Sequence, residues 1–185
     1  MKLLFASLAA TLLFPTAGKR PSGPAEIIVI RHGEKPADKE NPHLSPEGIR
    51  RAEELVTFMT TDPGITKGGA PAVIYATRTT KDDDGQRTQE TVAPLARALK
   101  LEVQTPYLGK EYRKLAKAVL KNPALVGKRI LICWNHENLP QLAAALGVSP
   151  EPGKWKDRIY DRVWVISYRN GKASLSTTRY GHESR

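Results

Sequence analysis

The chain of 185 residues carries 29 Lys and Arg against 19 Asp and Glu, a formal charge of +10, and is 40% apolar. These values fit one ordinary globular domain long enough to bury a core. The charge favours anionic partners, but the basic residues are scattered and no aromatic–basic motif suggests nucleic acid. A single cysteine, Cys133, excludes an intrachain disulfide framework and a Cys-rich zinc site. Six residues past it stands Leu139 and not Arg, which also excludes a cysteine-based phosphate cradle.

Residues 1–18 read as a secretory signal peptide: Lys2 supplies a positive start, 3–14 an apolar stretch, and Thr16-Ala17-Gly18 a small-residue cleavage region. The expectation is a secreted or periplasmic protein. The apolar stretch is too short for a comfortable transmembrane helix, so no stable membrane insertion is expected after its removal. A linker at 19–24 then precedes one domain at 25–185.

The first strand is expected at 26–31, where four β-branched residues in a row suit burial on both faces of a parallel sheet. Ser45-Pro46-Glu47 starts a helix with a cap, a first-position proline and a dipole-matching acid. Ile49, Ala52, Val56 and Met59 follow at helical spacing, widened by Leu55 and Phe58. A second strand is expected at 72–77. The following polar loop holds Asp82-Asp83-Asp84, which lacks the alternation of a calcium loop and reads as solvated. A helix from Arg87 contains Pro94, which should kink it or mark a late start. A short strand at 101–103, a helix at 110–121, a buried strand at 129–134 and a helix at 139–146 ending at Gly147 come next. Two last strands, 162–167 and 173–178, are joined by Asn170-Gly171, a strong hairpin signal. Strands alternating with helices before a closing hairpin indicate an α/β sandwich with a mixed sheet.

Three groups stand just after apolar strands: Arg31-His32-Gly33, Arg87 and His136. In open α/β sheets ligands bind beyond the carboxyl ends of strands. A permanent cation, an imidazole and a sharp turn at that place suit a nucleophile directed at phosphate. His43 and His182 have no such context and read as surface residues.

In this order the motifs resemble the histidine phosphatase superfamily, the phosphoglycerate mutase-like group, over most of residues 26–147. The resemblance is carried by Arg31-His32-Gly33-Glu34, Leu44-Ser45-Pro46-Glu47-Gly48, Thr77 with Arg87-Thr88-Gln89-Glu90-Thr91, and His136. It implies a three-layer α/β/α sandwich with a mostly parallel mixed sheet. It also implies a metal-independent, cofactor-free phosphatase in which His32 is the nucleophile and Arg31, Arg87 and His136 hold the phosphate. Arg78 is a rival for Arg87, because the step from Thr77 to Arg87 exceeds the usual spacing. Glu137 resembles the proton donor of one branch, and Glu111 lies nearer to where another branch places its own. The implied substrate is a phosphorylated small molecule, a phosphoprotein or phosphohistidine. A non-catalytic binder of phosphorylated ligands and a phosphoglycerate mutase are the alternatives, with the short chain arguing against the mutase.

Overall fold

In the computed structural model the sheet is built around β1 (Glu26–Arg31), in which Ile27, Ile28, Val29 and Ile30 are fully buried. The structure describes residues 23–81 and 85–182. The expected signal peptide, most of the linker and the run Asp82-Asp83-Asp84 lie outside the described residues.

β1 lies between two neighbours. On one side β4 (Arg129–Trp134) runs parallel, with Ile28 opposite Leu131 and Arg31 opposite Trp134. On the other β5 (Arg162–Arg169) runs antiparallel, with Ile28 opposite Val165. With β2 (Val73–Tyr75), β3 (Val103–Gln104) and β6 (Lys172–Arg179), the sheet order is β3-β2-β4-β1-β5-β6. β3, β2, β4 and β1 are parallel, and the β5–β6 hairpin is antiparallel. The expected mostly parallel mixed sheet is therefore observed.

Alternation along β1 divides the core. Ile27 and Val29 pack with α4 (Tyr112–Lys121) and α5 (Leu139–Ala145), while Ile28 and Ile30 pack with α1 (Pro46–Thr61) and α3 (Gln86–Leu99). These are the three expected layers. A four-residue helix, α2 (Pro63–Thr66), follows α1. Each buried Ile or Val of β1 is favoured by about 1.5–3 kcal/mol over an exposed one. Among the described residues no helix is long and apolar enough to cross a membrane.

Ser45 caps α1 as expected, accepting from the Gly48 N–H at 3.1 Å. Ala52, Leu55, Phe58 and Met59 face inward, but Ile49 is 55% exposed and Arg51 is fully buried in its stead. Backbone contact explains the rotation. A Cβ on Gly48 would meet the Glu34 carbonyl oxygen at 2.6 Å, and one on Gly33 the Gly48 carbonyl oxygen at 2.9 Å. The helix docks through Gly48, which directs Arg51, three residues on, inward and turns Ile49 outward.

α3 begins at Gln86 and continues through Pro94, so the proline does not mark a late start. Buried Thr88, Thr91 and Val92 before it and Leu95 and Ala96 after it supply the packing that offsets the missing N–H. The segment expected as a helix from 110 opens with a 3₁₀ turn, Gly109–Glu111. The short strand expected at 101–103 forms at Val103–Gln104. The hairpin closes as expected, with Asn170 and Gly171 at φ of 53° and 77°.

Candidate active site

Parallel, in-register pairing of β1 with β4 brings the residues that follow each strand to one edge of the sheet. Arg31 ends β1, His32 follows it, and His136 opens a 3₁₀ turn (His136–Asn138) just beyond β4. The two imidazole rings stand 6.3 Å apart, nearly perpendicular. All three side chains are buried.

His32 Nδ1 lies 2.7 Å from the Gly33 carbonyl oxygen, so Nδ1 carries the proton and donates. Nε2 is left with its lone pair. Burial, and then the Arg31 charge, push this imidazole down to about 3, with Lys35 and Arg87 adding in the same direction. His32 is therefore neutral at ordinary pH, as a nitrogen nucleophile must be. The turn that holds it is fixed from α3: the Gly33 N–H donates to Thr91 Oγ1 at 2.8 Å, and Thr91 Oγ1 donates to the Arg87 carbonyl at 2.7 Å.

Arg87 sits one turn earlier on α3. Its Nη2 donates to the Asn41 carbonyl at 2.7 Å and its Nε to the His43 carbonyl at 3.2 Å, tying down the loop before α1. Its charge also acts on His32, whereas Arg78 is ion-paired to Glu111 at 3.6 Å with its side chain 47% exposed. Of the two rival arginines, Arg87 is the one placed with His32.

Arg31 is engaged through both of its terminal nitrogens. Nη2 donates to His136 Nδ1 at 3.3 Å, and Nη1 donates to the carbonyls of Asp157 at 2.5 Å and Ile159 at 3.2 Å. The Tyr160 ring covers the guanidinium at 3.8 Å. Arg31 Nε meets no hydrogen-bond partner among the described residues. Because Arg31 donates to His136 Nδ1, the proton of His136 is on Nε2, 3.2 Å from Asp157 Oδ1. Burial and then Arg31 lower the His136 pKa, while Glu137 and Asp157 act against them.

The two acid candidates differ. Glu137 is exposed, beside His136. Glu111 accepts from Lys114 at 2.5 Å and from the Leu108 N–H at 3.0 Å, and the Lys114 bond leads in lowering its pKa. Glu111 is thus held ionised and does not suit proton donation.

Sequence reasoning missed Arg51, Asp157 and Tyr160. Arg51 forms a buried ion pair with Glu34, with Nε 2.7 Å from Oε1 and Nη2 2.5 Å from the same oxygen. Its spacing from Gly48 was the available signal. Asp157 and Tyr160 lie on the loop before β5 and carry no local signature. His43 is exposed as expected, bonded to Glu90 at 2.5 Å. His182, expected at the surface, is half-buried and lies 2.8 Å from Glu54 Oε2 and 3.1 Å from Glu47 Oε1. Glu34, Glu47 and His182 bring one possible metal-ligand atom each within 4.8 Å of one another. Arg51 Nη2, 3.2 Å from His182 Nε2, fills that cluster with a cation and makes it an ion-pair network.

No family model matches the sequence, and no curated protein matches it. Solved structures do match the fold. The protein histidine phosphatase SixA, complexed with tungstate, superposes with a TM-score of 0.59 at 12% identity, covering 83% of this chain and 96% of its own. An Escherichia coli K-12 protein provisionally assigned as an alpha-ribazole-5'-P phosphatase gives 0.58 at 15%, covering 85% and 97%. A mycobacterial glucosyl-3-phosphoglycerate phosphatase, solved with inorganic phosphate, gives 0.53 at 14%, covering 86% and 98%. The chain has the histidine phosphatase, phosphoglycerate mutase-like fold.

Proposed function

We propose that the protein is a phosphatase working through a phospho-His32 intermediate. The observation that carries this reading is the state of His32: neutral, with Nδ1 committed to the Gly33 carbonyl and the Nε2 lone pair free. In the first step Nε2 attacks phosphorus, a P–N bond forms, and the bond to the leaving group breaks. Water then attacks phosphorus, the P–N bond breaks, and phosphate departs with His32 restored. Transfer of this kind is mostly positioning and charge stabilisation. Arg31, Arg87 and the Nε2–H of His136 are the donors assigned to the phosphoryl oxygens. The Nε of Arg31, buried without a partner among the described residues, is a further donor for a phosphoryl oxygen.

Glu137 is assigned the proton for the leaving group, on its place beside His136. Phosphomonoesters and phosphohistidine are the proposed substrates, on small molecules or proteins. The test is turnover of p-nitrophenyl phosphate by wild type and His32→Ala. Activity that survives the substitution in pure protein would falsify the mechanism.

A second reading is a binder of phosphorylated ligands without turnover. It is favoured by the acid candidates, since Glu111 is committed to Lys114 and the Leu108 N–H and Glu137 is exposed. Such a protein binds p-nitrophenyl phosphate but releases no phenolate. The apolar run near the start supports export; a mature N-terminus near Lys19 on sequencing agrees with it, and an intact Met1 contradicts it.

A further inference from the structure

The phosphate donors of the proposed site are already engaged, and one residue engages most of them. The Asp157 carbonyl accepts from Arg31 Nη1 at 2.5 Å, while its carboxylate Oδ1 stands 3.2 Å from His136 Nε2. Asp157 therefore spans Arg31 and His136 with two oxygens, one of them anionic, in the manner of a bound oxyanion. Tyr160 closes the other side, stacked on Arg31 and 6.2 Å from the His32 ring. With this segment in place, Arg31 is 1% exposed.

The segment is anchored at both ends, and its middle is exposed at the Asp157 side chain. Trp155 is fully buried, set edge-on to Trp164 at 4.7 Å, and its Nε1 donates to the Ile159 carbonyl at 2.7 Å. Asp161 is 1% exposed and pairs with Arg179 at 2.6 Å. Between these anchors the Asp157 side chain is 82% exposed apart from its single contact to His136. The carbonyls of Asp157 and Ile159 stay on Arg31, and the Ile159 N–H closes the turn on the Lys156 carbonyl at 3.0 Å, so only the Asp157 carboxylate can swing off His136.

We propose that the Asp157 carboxylate is an internal stand-in for a phosphoryl oxygen, and that by competing for His136 it sets how tightly an anion must bind to occupy the site. The inference rests on the phosphatase reading. A carboxylate brings one charge and two oxygens, whereas a phosphomonoester brings close to two charges and three terminal oxygens. A dianion displaces the Asp157 carboxylate, and a carboxylate ligand exchanges like for like and gains little. The same competition speeds release of product phosphate, because the Asp157 carboxylate returns to the His136 donor that phosphate leaves. The Asp157 carboxylate is an affinity-setting group that acts through His136 and forms no bond to phosphorus.

The test is calorimetric binding of inorganic phosphate to wild type, Asp157→Asn and Asp157→Ala, with acetate as the comparison anion. Asp157→Asn keeps the shape and removes the charge. Both variants are expected to bind phosphate about tenfold more tightly than wild type, the equivalent of about 1.4 kcal/mol. They are also expected to gain for acetate by a similar factor, with an unchanged thermal midpoint in the absence of anion, which a merely structural role would not produce. Equal phosphate affinity in all three, or weaker binding in the variants, overturns the inference and leaves the phosphatase reading standing. Absence of phosphate binding by all three at millimolar concentration overturns both.

Discussion

Arg31 Nη2 lies 3.3 Å from His136 Nδ1, and because a guanidinium can only donate, His136 accepts there and keeps its proton on Nε2. Arg31 thereby sets the tautomer of the histidine opposite the proposed nucleophile. The donor aimed into the site is an N–H at neutral pH without His136 needing to be charged. Removing one such transition-state donor typically lowers turnover by about 10²–10³. We expect that loss in kcat/KM for His136→Ala, with the fold intact by circular dichroism. A loss under threefold would remove His136 from the site.

His32 connects the site to acid stability. Its pKa in the folded protein is about 3, against an ordinary value near 6.5 in the unfolded chain. Between those values the unfolded state binds the extra proton, so acid favours unfolding. The contribution is present above about pH 6.5 and is lost as pH falls towards 3. From pH 7 to pH 5 it amounts to roughly 2 kcal/mol. Urea unfolding of wild type and His32→Asn at both pH values measures it. We expect the variant to lose less stability across that interval, and equal losses would contradict the burial assigned to His32.

The Glu34–Arg51 pair lies directly behind the His32 turn. Removing one member of a buried pair leaves an uncompensated charge and typically destabilises by about 3–5 kcal/mol. Arg51→Met should therefore reduce the free energy of unfolding by about that amount, and Glu34→Gln with Arg51→Met together by less than the sum of the two single changes. Chemical denaturation of the three variants checks this. Additivity would mean that the two side chains do not interact.

Glu137 and Glu111 separate by leaving group. A positioned general acid contributes about 10²–10⁴-fold where the leaving group needs its proton. Glu137→Gln is expected to leave p-nitrophenyl phosphate hydrolysis nearly unchanged and to reduce alkyl phosphate hydrolysis by about 10²-fold or more. Glu111→Gln should change neither, since Glu111 is held ionised by Lys114 and the Leu108 N–H. Equal behaviour of Glu137→Gln on both substrates would remove it as the proton donor.

Much of this was legible in the sequence. Unbroken apolar runs at Glu26–Arg31 and Arg129–Trp134 signal doubly buried strands, and polar residues right after them mark the working edge of the sheet. The hairpin was legible because Asn170-Gly171 has few other uses. Arg51 and Ile49 were not, since periodicity alone ranks an isoleucine as inward. The rotation of α1 is set instead by backbone meeting backbone at Gly33 and Gly48, a contact between the turn after β1 and the start of α1 that periodicity does not encode. Asp157 and Tyr160 were hidden for a different reason. They reach the site from more than a hundred residues along the chain, on a loop whose path is fixed by Trp155 and Asp161 and not by its own pattern.

In the proposed reaction His32 Nε2 bonds to phosphorus. The direct measurement is rapid acid-free quenching of the enzyme with p-nitrophenyl phosphate, followed by mass spectrometry of the peptide containing Arg31-His32-Gly33. We expect a phosphoryl adduct on His32 that is labile to acid, stable to base, and absent from His32→Ala. Steady turnover with no adduct on His32, or an adduct on another residue, would contradict it.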